Sequence, residues 1–132
     1  MPKPLPDNAK KWLDGRSFPV VATVDPDGRP QLSVVWAKRD GETVLFSTLR
    51  DRRKGRNLAR DPSITLLVTN PETPYEYVEI RGNAEMVDDP GGSLIKELGL
   101  RYNDEDFREP DEKSARRVIV RVTADHVVEY TD

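Results

Sequence analysis

The chain contains no cysteine and a single histidine, His126. The first absence excludes a disulfide scaffold, a zinc–thiolate centre and a thiol nucleophile. The second excludes a histidine-rich metal site and leaves one residue on which any Ser-His-Asp arrangement would have to be built. No G-x-S-x-G elbow accompanies it. His126 stands instead in the alternating run "TADHVVEY", which reads as a strand. No apolar run approaches the roughly 20 residues of a membrane span. The opening "MPKPLPDNAKKWL" has no apolar h-region, so no signal peptide is expected and the cytoplasm is the expected compartment. The acidic run "NDEDFREPDE" lacks the D-x-[DN]-x-[DN]-G spacing of a calcium loop. It reads as a solvated charged loop, and no metal ligand set is expected.

What is present is a charged sequence of one-domain length. At 132 residues it is expected to be a single domain over 1–132. A short helix is expected over 6–15, capped by Asp7 or Asn8 and stopped by Gly15. Then "FPVVATV", "PQLSVVWAK" and "ETVLFSTL" alternate with the turns "DPDG" and "RDG". Asp-Gly turns between apolar runs signal hairpins, so a three-stranded antiparallel meander is expected. "SITLLVTN" and the long "YEYVEIRGNAEMV" read as two further strands, with Gly82 marking a bulge or bend. "SLIKELGLRYN" has helical spacing, and "ARRVIVRVTADHVVEYTD" alternates as one bent strand or two. In the latter, Val118, Val120 and Val122 share one side, and Arg117, Ile119 and Arg121 the other. Six or seven strands with few helices predict a mainly β chain, a small antiparallel barrel with peripheral helices.

One short segment departs from the overall charge. The chain has a net charge of -3, yet "RDRRKGRNLARDP" at 50–62 packs Arg50, Arg52, Arg53, Lys54, Arg56 and Arg60 together. A short helix is expected there, with Leu58 as its core contact. Cations at a helix N-terminus oppose the macrodipole. A phosphate reverses that sign, because free N–H groups, the dipole and guanidinium groups all favour an anion. Each charge-assisted bond contributes about 1.5–3 kcal/mol. A solvated arginine-rich face is the plain alternative. A nucleic-acid site is the other, but the cluster is short, the chain is acidic and no nucleic-acid motif frames it.

"DGRPQLSVVWA", then a strand, then "RRKGRNLARDP", resembles the split β-barrel flavin and deazaflavin reductases. This superfamily includes pyridoxamine 5′-phosphate oxidase, and the pattern is most similar to its small branch that uses coenzyme F420. The resemblance runs over roughly residues 6–130. It implies a six- to seven-stranded split barrel of the FMN-binding type and a homodimer with the cofactor at the subunit interface. It also implies site residues. The cofactor's phosphate end would meet Arg52, Lys54, Arg56 and Asn57, with hydroxyls from Ser47 and Thr48. Ser33, Val34, Val35 and Trp36 would run along the ring. Tyr75, Glu76, Tyr77 and Val78 would contribute from a later strand, from the other protomer where the groove is shared. Read without the resemblance, Trp36 and Phe46 fit a barrel core equally well, and Tyr75 and Tyr77 fit one face of a sheet.

The implied chemistry is a hydride passed from reduced F420 to an electron-poor small organic substrate. The cofactor carries the reaction and the protein binds and orients it, so no catalytic acid or base is named. FMN is the alternative cofactor, and a non-catalytic F420 carrier is the alternative role. No nucleic-acid or membrane partner is expected. The stretch 88–113 is an insertion of unassigned role.

Overall fold

Alternating branched apolar residues build seven strands, and the computed structural model describes them within residues 2–131. The order is α1 (Asp7–Asp14), β1 (Val20–Val24), β2 (Pro30–Val34), β3 (Ala37–Asp40), β4 (Thr43–Leu49) and α2 (Arg53–Arg60). It continues β5 (Ser63–Thr69), β6 (Tyr77–Asp88), α3 (Ser93–Asn103), α4 (Asp111–Ser114) and β7 (Arg117–Tyr130). All neighbours pair antiparallel in the order β2-β1-β5-β6-β7-β4-β3. This is the mainly β split-barrel architecture that the resemblance implies.

The three-stranded meander is not what forms. The run "PQLSVVWAK" divides at Val35 and Trp36, where the Val35 N–H donates to the Pro19 carbonyl at 3.0 Å instead of to a neighbouring ladder. Its first half pairs with β1 and its second half with β4. The two Asp-Gly hairpins therefore lie at opposite edges of the sheet. Both turns have the expected glycine geometry, with positive φ at Gly28 and Gly41.

The longest ladder joins β6 to β7, which is one continuous strand. Its register shifts between Arg81 and Gly82, so the expected bulge is present. A Cβ at Gly82 would fall onto the Thr123 carbonyl oxygen, which leaves room for no side chain. Tyr75 and Glu76 lie outside the strand. The Asn70 side chain donates to the Glu76 carboxylate at 3.0 Å and closes a loop there. Tyr75 and Tyr77 consequently do not share a sheet face: Tyr75 is exposed, whereas Tyr77 stacks on Tyr130 at 5.5 Å.

The barrel interior is filled by Val21, Phe46, Leu66, Ile80, Val118 and Val120, with α1 closing one side through Ala9, Trp12 and Leu13. Fully burying a side chain of this kind contributes about 1.5–3 kcal/mol. The α1 N-cap is Pro6, without a side-chain cap; Asp7 and Asn8 both lie inside the helix. Asn8 donates instead to Glu129 at 2.9 Å.

A second, smaller core lies outside the barrel. Leu45 of β4 meets Leu94, Leu98 and Tyr102 of α3, with Trp36 and Ile119 packed against them. Asp89 holds the start of α3: its carboxylate accepts from the Ser93 and Leu94 N–H groups at 3.1 and 3.0 Å. Among the described residues, no helix is long and apolar enough to cross a membrane.

Candidate functional site

Helix geometry divides the basic segment into two faces. Arg53, Asn57 and Arg60 recur at helical spacing and turn toward β1. The Arg53 guanidinium makes two bonds to Asp25, one of them at 2.8 Å from Nε. Asn57 donates to Thr23 Oγ1 and to Asp25, both at 3.0 Å. Arg60 reaches the Val24 carbonyl. Hydrogen bonds from Arg53 and then Asn57 hold the Asp25 carboxyl below its usual range. A cavity of about 460 Å³ lies on this side, with Arg56 on its wall. Asp25, Arg53, Asn57 and Arg60 on its wall are already bonded to one another or to β1, and Asp27 accepts from the Arg29 N–H. Asn57 thus anchors α2 to β1, and Arg53 is an anchor as well.

Arg52 and Lys54 turn the other way, into a cleft of about 330 Å³ between α2 and the α3 side of the sheet. Val34, Val35, Trp36 and Ser47 line the same cleft. So do Ile95, Phe107, Lys113 and Arg117, which no local sequence pattern marks as site residues. Lys54 is half-buried, and among the described residues it makes no hydrogen bond or ion pair within reach. Burial, and then the like charge of Arg52, push its ammonium pKa down. A bound anion would restore it.

Arg117 is the exception among the cleft's cations. Its side chain is 4 % exposed and meets Glu109, 5 % exposed, through bonds of 3.0 and 2.9 Å. It also lies 5.6 Å from the centre of the Phe107 ring and 3.5 Å from Ser47 Oγ. The acidic run 103–112 is therefore not a solvated loop throughout. The hydrogen bonds from Arg117, and the charges of Arg117, Lys113 and Arg52, hold the Glu109 carboxyl below its usual range.

Strand alternation separates the two expected hydroxyls. Ser47 faces the cleft, whereas Thr48 is buried on the opposite face. The Ser33 and Thr48 hydroxyls are buried without a hydrogen-bond partner in the chain. Trp36 is half-buried, stacked on Tyr102 at 5.4 Å and edge-on to Phe107 at 6.2 Å. Phe46, by contrast, is entirely core. Val78 is also core, and Tyr75, Glu76 and Tyr77 do not line this cleft within one chain. Among the described residues, no group of three or more His, Asp or Glu is placed to hold a metal ion.

These features suit one kind of ligand. The cleft volume lies within the roughly 300–1,000 Å³ of small-molecule sites. Its wall combines Arg52 and Lys54, which suit an anion, with Trp36 and an interrupted strand, which suit a planar ring.

The chain is similar to known proteins over nearly its whole length. The family model described as pyridoxamine 5′-phosphate oxidase matches residues 5–130. A pyridoxine/pyridoxamine 5′-phosphate oxidase of Sphingopyxis alaskensis is 38 % identical over 69 residues, 52 % of this chain; the match spans 32 % of that protein's length. Among solved structures, an F420 reductase superposes with a TM-score of 0.84 at 35 % identity, covering 94 % of this chain and 98 % of that one. A conserved hypothetical protein of Mycobacterium tuberculosis superposes with a TM-score of 0.77 at 22 % identity, covering 98 % of this chain and 86 % of that one, a likeness of fold alone.

Proposed function

This chain belongs to the pyridoxamine 5′-phosphate oxidase family, and from that premise we propose an oxidoreductase that works with the deazaflavin coenzyme F420. The carrying observation is the cleft in which Arg52 and half-buried Lys54 lie beside Trp36 with no carboxylate engaging the lysine. The likeness to an F420 reductase over nearly the full length of both chains supports the choice of cofactor.

The roles follow from position. Arg52 and Lys54 bind the cofactor's phosphate, and the Ser47 hydroxyl adds a donor. The segment Val34, Val35 and Trp36, where the strand breaks between β2 and β3, runs along the ring, with the Val35 N–H already committed to the Pro19 carbonyl. Arg56 stands across the helix and takes the more distant charge of an acidic tail. Bound there, reduced F420 supplies a hydride to an electron-poor small organic substrate. No side chain of the cleft is assigned as acid or base.

The same reading includes a C₂ homodimer. Leu32 and Val34, on the edge strand beside the cleft, are 62 % and 61 % exposed, and Tyr75 is 77 % exposed. A second copy would cover them and bring Tyr75, Glu76 and Tyr77 to the site. Light scattering should give twice the 15.0 kDa chain mass. A cytoplasmic location belongs to this reading too.

The test is the mass and visible spectrum of whatever co-purifies, followed by oxidation of reduced F420 against a panel of electron-poor acceptors. Turnover supports the reductase. Tight F420 binding without turnover on any acceptor makes the protein a carrier, and preference for FMN makes it a flavoprotein.

A further inference from the structure

Residues 104–116 form a strap between α3 and β7 that contributes Phe107 and Lys113 to the wall of the cleft. It begins at Asp104, which accepts from Arg16 at 2.6 Å. Phe107 then drops inward, edge-on to Trp36 and tight against Gly99, where a Cβ would sit 2.7 Å from the Phe107 Cβ. Glu109 follows with its carboxylate buried against Arg117. Lys113, on α4, lines the cleft together with Arg52 and Lys54. Lys113 makes no ion pair within 4 Å among the described residues. The α4 turn that carries it is fixed by the Ser114 N–H and the Lys113 N–H, which both donate to Pro110 O at 3.0 Å.

We infer that this strap supplies a third cation of the anion site, Lys113, and that the buried Glu109–Arg117 pair is the positioning element that holds it at the cleft wall. The inference rests on the proposed cofactor reading and adds a residue set to it. The ligand chemistry is a phosphate or phosphodiester. Three cations converge on one space, and the carboxylate there is already committed to Arg117. Charge alone would make Glu109 a poor neighbour for an anion, since a carboxylate repels phosphate. Its presence is explained if its work is to place the strap.

That contrast gives the experiment. Inorganic pyrophosphate, F420 and FMN are each titrated calorimetrically into the full-length protein and into Lys54→Ala, Lys113→Ala, Lys113→Arg and Glu109→Gln. Lys113→Ala should weaken pyrophosphate, and whichever of F420 and FMN the wild type binds, at least tenfold, as Lys54→Ala does, and Lys113→Arg should restore most of the loss. Glu109→Gln removes a negative charge yet should weaken pyrophosphate at least threefold, because the strap is released. Tighter binding in Glu109→Gln overturns the positioning role. Unchanged binding in Lys113→Ala beside a weakened Lys54→Ala overturns the inference and leaves the cofactor reading standing. If pyrophosphate binding depends on Lys113 while neither F420 nor FMN binds the wild type, the anion site stands and the cofactor reading falls. A wild-type protein that binds no pyrophosphate overturns the inference. Should Glu109→Gln not fold, the Lys113 pair decides alone.

Discussion

Substituting Glu109 by glutamine should destabilise the protein more than any surface charge change. The carboxylate is one half of a pair whose side chains are only 5 % and 4 % exposed. Glutamine keeps the shape and one hydrogen-bond acceptor but removes the counter-charge. Arg117 then keeps a long contact to Ser47 at 3.5 Å and the Phe107 ring at 5.6 Å. Removing one partner of a buried pair costs about 3–5 kcal/mol, because the other charge stays in a poorly solvated place. Total stability of a domain is about 5–15 kcal/mol, so this is a large fraction. For a chain of this size each kcal/mol moves the midpoint by roughly 3–5 °C, giving a fall of about 9–25 °C. Glu109→Leu with Arg117→Met should recover most of it, since replacing both members by apolar groups is often near neutral. The pH dependence has a definite sign. Glu109 has a folded-state pKa below its reference value of 4.5. Its contribution is therefore fully present above pH 4.5, and the gap between wild type and Glu109→Gln should shrink on acidification below that, as pH falls toward the folded pKa. Chemical denaturation of the three proteins between pH 3.5 and roughly 7 checks both points. A Glu109→Gln cost under about 0.5 kcal/mol, or a gap that widens in acid, would refute the reasoning.

Three further outcomes follow from the geometry. Lys54→Ala should weaken F420 binding by about 1.5–3 kcal/mol, the scale of a charge-assisted hydrogen bond, whereas Arg56→Ala, across the helix, should cost well under that; calorimetry at one salt concentration separates them. Arg53→Ala should lower the thermal midpoint in the absence of any ligand, because Asp25 loses its bidentate partner; an unchanged midpoint would mean that the exposed guanidinium of this pair contributes nothing to stability. Gly82→Ala should cost about 1–3 kcal/mol in denaturant unfolding, the scale of overpacking, because the new methyl meets the Thr123 carbonyl; a neutral result would show that the bulge yields.

How far the sequence reveals this arrangement depends on the range of the cause. The Asp-Gly turns and the bulge at Gly82 are local, and both are found where composition places them. The long β7 alternation is local too, and Val118, Val120 and Val122 are buried as the pattern requires. Long-range causes left no such trace. One hydrogen bond, from Val35 to Pro19, divides an apparently continuous strand between two sheet edges. A cause can also be local and carry no sequence pattern: the Asn70–Glu76 bond, between residues 6 apart, folds Tyr75 into a loop. Arg53 and Lys54 are neighbours in a basic run, but one helical step turns the first to Asp25 and the second into the cleft. The strap was the least legible element. A run of acids reads as solvated, and only Phe107, a lone aromatic within it, hinted that part of the run is docked.

The central claim is that the cleft beside α2 holds a phosphate-bearing deazaflavin. Calorimetric titration of F420 and of FMN into the same purified protein, at identical salt, tests it most directly. The expected result is one F420 per chain, bound more tightly than FMN, with affinity falling as salt rises because the contacts are ionic. Tighter FMN binding would contradict the choice of cofactor, and binding of neither would contradict the site itself.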